Sequence, residues 1–308
     1  VRTVDKKGLA ALSSSFFATL AVVKDRPDVV HYHAEGPCVP LPLARCAGIR
    51  TVATIHGLDW QRAKWGKLAS AYIKMGERAA ATKADELIVL SEANKVYFKE
   101  AYGREATYIP NGVDVRAVRA ADSIKAKWGL EEGSYLLYLG RLVPEKRPEL
   151  LIEAFKKLET DKQLVIAGGS SDTSEFERSL HALAEGDSRI LFTGFVSGEP
   201  LEELYSNAYA YVLPSDVEGM PMSLLEAMAH GRCCVTSDVP ECADVLGGAG
   251  LTFEKGDAAD LGRVLGGVLA DPAKAARLGE AARGRVNTTY DWDSVVERTL
   301  SLYEGEAR

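Results

Sequence analysis

The chain has 308 residues, 46% hydrophobic and 26% charged, with a formal net charge of −7. At about 150 residues per domain this length allows two domains with separate cores, and the composition excludes a disordered or fibrous chain. No stretch approaches the roughly 20 continuous apolar residues of a membrane span, and the five cysteines, odd in number and without paired short spacing, exclude a metal module and point to reduced thiols of a cytosolic protein.

In chain order, helical runs near 6–24, 38–47, 61–82 and 92–102 alternate with strand candidates at Val29–Tyr32, Thr51–Ile55, Glu86–Leu90 and Thr107–Ile109. Further strands are expected at Tyr135–Leu139, Gln163–Ala167, Ile190–Thr193, Ala210–Leu213 and Cys233–Thr236, and a last helix at Ser294–Glu304. Short apolar strands separated by amphipathic helices imply an α/β chain with parallel sheets covered on both faces. Ligands then bind at the carboxyl ends of the strands.

Two such ends carry chemistry. After the strand-like run Ser134–Gly140, Arg141-Leu142-Val143-Pro144-Glu145-Lys146-Arg147-Pro148 leads into a helical run at Glu149–Leu158. Lys146 and Arg147 lie at the positive end of that helix dipole, where a cation is disfavoured by about 0.3–1 kcal/mol unless an anion offsets it. Two such cations ask for an anionic ligand. Arg141 can present a bidentate fork to phosphate and Lys146 a point charge; an ion pair of Lys146 with Glu145 or Glu149 is the competing expectation. After the strand-like run Ala208–Pro214, Glu218-Gly219-Met220-Pro221-Met222-Ser223-Leu224-Leu225-Glu226 sets two carboxylates eight positions apart, the second inside a helix beginning at Pro221. Proline suits a first helical turn, Gly219 lets backbone approach a ligand, and the helix N-terminus offers N–H groups to phosphate. Glu218 is expected in the mouth of the site and Glu226 in a more enclosed position. Carboxylates flanking an anion site suit a nucleotide-sugar; two solvated helix charges are the alternative.

Together GRLVPEKRPELLIEAF, AGG at Ala167–Gly169, FTGFVS at Phe192–Ser197 and EGMPMSLLEAMAHG resemble the donor half of the retaining, GT-B-fold glycosyltransferases of family four. DVVHYH at Asp28–His33, TIHGLDWQRAKWG at Thr54–Gly66, VLSEANKVYF at Val89–Phe98 and IPNGVD at Ile109–Asp114 agree, and the last looks like the family's interdomain junction. The His-Gly-Leu-Asp-Trp-Gln-Arg stretch is most similar to bacterial rhamnosyltransferase-like members that act in polysaccharide assembly. The resemblance implies two Rossmann-like, doubly wound domains facing a cleft: an acceptor domain at 1–114, a donor domain at 115–290, and a C-terminal helix at 291–308 returning to the first. It implies that Arg141, Lys146 and the helix N-terminus formed by Gly219, Met220, Pro221, Met222, Ser223 and Leu224 neutralise the leaving diphosphate, with neither metal nor cofactor. By the same resemblance Glu218 holds hydroxyls of the donor sugar, Glu226 the ribose, and the backbone near Gly194, Phe195 and Val196 the base. His56 is assigned to the donor sugar, a satisfied structural histidine being the alternative, and Asp59 to the acceptor side or to loop architecture. The opening VRTVDKKGLAAL resembles a point well inside the family pattern, which implies that the first strand and Gly-rich loop are lacking and that turnover suffers.

Divided after Asp114, the first part holds 16 Lys+Arg against 12 Asp+Glu, a net +4, which leaves −11 for the rest. Its cations concentrate at Arg62, Lys64, Lys67, Lys74 and Arg78 on a helix expected from Gln61 to about Thr82, with Trp65, Leu68, Ala69, Tyr72 and Ile73 on or beside the apolar stripe. Such a helix can dock on anionic headgroups or a lipid-linked acceptor; an ordinary solvated face is the alternative. No nucleic-acid partner is expected. Asp291-Trp292-Asp293 imitates a metal-binding acidic triplet, but is read as an N-cap with Trp292 in the core. The reading is a nucleotide-sugar-dependent glycosyltransferase, cytoplasmic or peripheral at the inner membrane face. Its alternatives are a nucleotide-sugar binding module without turnover, and a sugar-nucleotide epimerase on the same fold.

Overall fold

The computed structural model describes Thr3 and residues 9–61, 65–114, 116–170 and 174–305, with only the backbone of Leu9 and Ala11. Arg62 and Lys64, two of the proposed headgroup contacts, lie outside the described residues. The elements in chain order are α1 (Leu9–Asp25), β1 (Val29–His33), α2 (Leu41–Cys46), β2 (Arg50–Ile55), α3 (Lys67–Lys83), β3 (Glu86–Val89), α4 (Glu92–Tyr102) and β4 (Thr107–Tyr108). There follow α5 (Ser123–Trp128), β5 (Tyr135–Leu139), α6 (Pro148–Phe155), β6 (Gln163–Ala167), α7 (Ser174–Ala184), β7 (Ile190–Gly194), α8 (Glu199–Asn207) and β8 (Ala210–Leu213). The chain ends with α9 (Met222–Ala229), β9 (Cys233–Ser237), α10 (Pro240–Leu246), β10 (Leu251–Phe253), α11 (Ala258–Ala270), α12 (Pro272–Thr289) and α13 (Trp292–Glu304). Two compact units result: Val1–Asn111 with Trp292–Arg308, and Gly112–Asp291.

The first unit holds a parallel sheet in the order β1-β2-β3-β4. Alternation along the strands decides its layers, because successive side chains point to opposite faces. Tyr32, Ala53, Ile55, Leu87 and Val89 join residues of α2, α3 and α4 in one core, while Val52, Ile88 and Ile109 meet Leu302 of α13 on the other face. Gly76 permits a close approach of α3 to the turn after β1, since a Cβ there would lie 1.8 Å from the Glu35 carbonyl oxygen.

The second unit holds a six-stranded parallel sheet, order β10-β9-β8-β5-β6-β7, whose strand order reverses beside β5 in the doubly wound manner. Its core joins Leu136, Tyr138, Leu164 and Ile166 to Leu151 and Phe155 of α6 and to Leu261 and Leu265 of α11. Buried strands flanked by helices explain the unbroken apolar runs that marked β5, β6 and β8 in the sequence.

Several expectations need correcting. The basic helix starts at Lys67, with Gly66 as its N-cap, and residues 59–61 form a separate 3-10 turn. Its buried stripe is Ile73, Gly76, Glu77, Ala80 and Ala81, so Leu68, out of that i, i+3, i+4 register, is 90% exposed and Trp65 37%. Trp292 is not a core residue: it opens α13 and is 41% exposed. β10 was not anticipated, because its three residues acquire a strand identity only by pairing with β9. The cysteines are free thiols, all buried except Cys46. Among the described residues no helix is long and apolar enough to cross a membrane.

Candidate active site

In the second unit the strand order places the loops after β8, β5, β6 and β7 side by side along the carboxyl edge. There a cavity of about 540 Å³ is lined by Leu139, Gly140 and Arg141 after β5, Ala167, Gly168, Gly169 and Ser170 after β6, and Phe195 and Val196 after β7. Backbone bonds from Gly140 N to Ala167 O (3.0 Å), Leu142 N to Gly169 O (3.1 Å) and Gly168 N to Gly194 O (2.9 Å) tie these loops together. Gly168 makes that possible: its φ is +148°, and a Cβ would stand 1.8 Å from the Gly140 carbonyl oxygen. Arg141 is exposed and has no carboxylate paired with it among the described residues, and Phe195, 82% exposed, presents its ring beside the cavity.

Lys146 and Arg147 are not the unpartnered cations that the sequence suggested. Lys146 Nζ lies 2.5 Å from Glu218 Oε1, and Arg147 reaches Glu149 at 2.8 Å and Asp216 at 3.3 Å. Glu149 is a local partner, but Glu218 and Asp216 are tertiary ones: β5 and β8 are neighbours, so the loop after β8 carries counter-charges for the loop after β5. Asp216 N donates to the Glu145 carbonyl oxygen at 2.9 Å, and Tyr211 donates to Ser223 Oγ at 2.7 Å, which fixes the start of α9 against β8. Pro221 is the N-cap of α9 rather than its first residue. The expected exposures are also inverted. Glu218 is 9% exposed, packed with the buried Gly219, Met220 and Pro221, whereas Glu226 is half-buried.

Glu226 lies on the second turn of α9 and faces α8. Its Oε2 accepts a 2.8 Å bond from the hydroxyl of Tyr205, a fully buried residue. Burial pushes the Glu226 carboxyl above its usual range, and the Tyr205 hydroxyl opposes that shift. Gly194 closes β7 with φ +69°, so its loop turns back toward Gly168.

In the first unit His56 follows β2, and its Nε2 lies 3.0 Å from Nδ1 of His33, at the end of β1. Burial lowers the affinity of both rings for protons. His31, stacked on His33 and bonded to Tyr303 and Thr54 at 2.6 and 2.7 Å, is lowered to about 4, by burial first and then by His33 and His56. Behind the His56 loop, Glu35 Oε1 accepts from Asp59 N at 3.0 Å, while Oε2 is buried without a partner. Burial, then the charge of Asp59, raises this carboxyl to about 8. Glu77 accepts bonds from Trp60 Nε1 (2.8 Å), Tyr97 (2.8 Å) and Tyr102 (2.6 Å) and so anchors the same segment to α3 and α4.

Sequence reasoning missed Ser170, Asp216, Tyr205 and Glu35, and gave no separate role to Gly140, the first residue of the GRLVPEKR motif. Ser170 directly follows the AGG motif, so the strand end signalled it. Tyr205 and Glu35 carry no local signal, because their meaning lies in partners distant in the chain. Among the described residues no three His, Cys, Asp or Glu side chains are grouped to hold a metal ion.

Residues 121–285 match the family described as "Glycosyl transferases group 1", and residues 2–117 match "Glycosyltransferase Family 4". The chain is 32% identical over 295 residues to a glycogen synthase of Mycobacterium tuberculosis, covering 90% of this chain and 69% of that protein. It is 30% identical over 310 residues to a GDP-mannose-dependent alpha-(1-6)-phosphatidylinositol monomannoside mannosyltransferase of Mycolicibacterium smegmatis, covering 91% of this chain and 78% of that one. In fold it is similar to sucrose-phosphate synthase from Thermosynechococcus elongatus, with a TM-score of 0.84 at 24% identity over 98% of this chain and 80% of that one. It is likewise similar to Anabaena Alr3699/HepE in complex with UDP-glucose, with a TM-score of 0.83 at 17% identity over 93% and 82%. With one family match across more than half its length and another across its first part, the chain belongs to the group 1, family 4 glycosyltransferases and has their GT-B fold.

Proposed function

We propose that this glycosyltransferase moves a hexose-type sugar from a nucleoside diphosphate to an acceptor hydroxyl with retention of configuration, in the assembly of cell-surface polysaccharide or glycoconjugate. The observation that carries the reading is the 2.5 Å pair of Lys146 and Glu218 at the edge of the second sheet. It sets a cation for phosphate beside a carboxylate for hydroxyls, the two groups that a sugar phosphate joins. Arg141, Lys146 and the N-terminus of α9 offset the charge of the leaving diphosphate in place of a metal ion. Glu218 holds donor-sugar hydroxyls, Glu226 the ribose, and Phe195 and Val196 border the base. In the first unit, His56 offers a neutral imidazole to a sugar hydroxyl. The bond from the anomeric carbon to the phosphate oxygen breaks, the acceptor oxygen forms the new glycosidic bond, and the acceptor proton passes to the leaving phosphate. The relatives' names support the donor class: one is GDP-mannose-dependent, and one similar structure holds UDP-glucose.

The acceptor in this reading is a sugar or a lipid-linked sugar. Lys67, Lys74 and Arg78 are exposed along one side of α3, with no carboxylate paired to them among the described residues, beside exposed Leu68 and Met75. This side of α3 is the proposed contact with anionic headgroups. The donor reading is tested by calorimetry with UDP, GDP and dTDP in the presence of a chelator. Binding of at least one diphosphate is expected, and loss of all binding on chelation would overturn the metal-free reading.

A further inference from the structure

Glu226 is a long side chain on a helix surface, with three rotatable bonds, and a contact to ribose hydroxyls requires one of its oxygens to be held in place. The structure supplies the means. The Tyr205 hydroxyl donates to Oε2 at 2.8 Å from a fully buried ring. That ring stacks on His230, with centroids 5.3 Å apart and planes within 18°. His230 is itself buried, and its Nδ1 lies 2.8 Å from the Glu226 carbonyl oxygen, so one imidazole braces both the tyrosine ring and the helical turn that carries Glu226. Glu202 Oε2 stands 3.3 Å from His230 Nε2, and Arg116 lies 3.3 Å from Glu202 Oε1, which closes the cluster.

We propose that Tyr205 is a positioning residue of the nucleotide site: it fixes the rotamer of Glu226 so that Oε1 meets the ribose hydroxyls. The inference rests on the reading of Glu226 as the ribose contact. A carboxylate bound through one oxygen to a buried hydroxyl loses its rotational freedom before the ligand arrives, which lowers the ordering cost of binding. The phenol adds no contact to the nucleotide. Its effect passes through Glu226 alone.

The test is calorimetry on the full chain with whichever of UDP, GDP or ADP binds best and with its 2′-deoxy counterpart. The variants are Tyr205→Phe, Glu226→Ala, the double variant, and Tyr135→Phe, which removes another buried hydroxyl that bonds α8 through the Leu204 carbonyl oxygen at 2.7 Å. Wild type is expected to prefer the ribonucleotide by roughly tenfold or more, as a charge-assisted hydrogen bond implies. Tyr205→Phe is expected to remove most of that preference and leave deoxynucleotide affinity within about twofold, with no further loss in the Glu226→Ala background. Tyr135→Phe is expected to lower the melting temperature and keep the preference. The ratio of the two affinities is independent of the fraction of protein that is folded. Equal losses for both nucleotides, additivity with Glu226→Ala, or the same change in Tyr135→Phe would overturn the positioning role. A wild type that does not distinguish the two nucleotides, or a Glu226→Ala variant that behaves as wild type, overturns the ribose reading itself and this inference with it.

Discussion

Glu218 and Lys146 illustrate how much one neighbour changes the meaning of a charge. Removing one partner of a fully buried pair costs about 3–5 kcal/mol; Lys146 keeps some solvent contact, so Glu218→Ala should cost less than that and lower the melting temperature. A bare diphosphate then supplies the missing counter-charge, so its stabilising increment should exceed that in wild type, while binding of the sugar-bearing donor weakens. Thermal shift with and without nucleotide checks this; an increment smaller than in wild type refutes it. Glu35 offers a second residue-scale prediction. Its folded-state carboxyl titrates at about 8 against an ordinary 4.5, so the folded form binds the proton more tightly. The associated stability is complete below about pH 4.5, declines as pH rises toward 8, and is gone above it. Glu35→Gln, which keeps an acceptor for Asp59 N and never charges, should match wild type at low pH. At pH 8 it should be more stable, by at most about 5 kcal/mol. Denaturant midpoints at the two pH values decide, and an absent gain at pH 8 shows that the site accommodates the charge.

Two glycines inside or beside regular elements predict substitutions of opposite sign. At Gly168, between β6 and the cavity, a methyl group would meet the Gly140 backbone in a left-handed conformation. Overpacking of that kind costs about 1–3 kcal/mol or more, and Gly168→Ala should both lower stability and abolish nucleotide binding. At Gly267 in α11 a Cβ would meet nothing within 4 Å, so Gly267→Ala should stabilise by about 0.5–1 kcal/mol through helix propensity and leave binding intact. Denaturation and calorimetry on both variants check the contrast. The positions of the glycines were visible in the sequence, but which of them lies against another backbone was not. The same limit applies to α3, whose helical character was legible but whose buried stripe of Ile73, Gly76, Glu77, Ala80 and Ala81 was not, because it is chosen by what packs against the helix.

At the scale of the whole molecule, α13 belongs to the first unit although it follows the second in the chain. Arg50 donates to the Leu302 carbonyl oxygen, His31 bonds Tyr303, and Leu302 is buried against Val52 and Ile88. A chain ending at Asp291 should therefore lose the cooperative unfolding of the first unit, while residues 112–291 keep their own sheet and bind nucleotide as the full chain does. Hydrogen exchange and calorimetry on that truncation test it. The sequence by itself determined every strand but β10, their parallel sheets and the loops that carry Arg141, Lys146 and Glu218, because short unbroken apolar runs and strand-end residues are written locally. It could not determine that β5 lies beside β8, and so could not pair Lys146 with Glu218 or bury Glu218 more deeply than Glu226. Sheet order is set by pairing between residues some seventy positions apart, as Leu136 with Ala210, and Tyr205 reaches Glu226 only after α8 and α9 have packed. Those contacts decide the electrostatics of the site, and only the tertiary structure holds them.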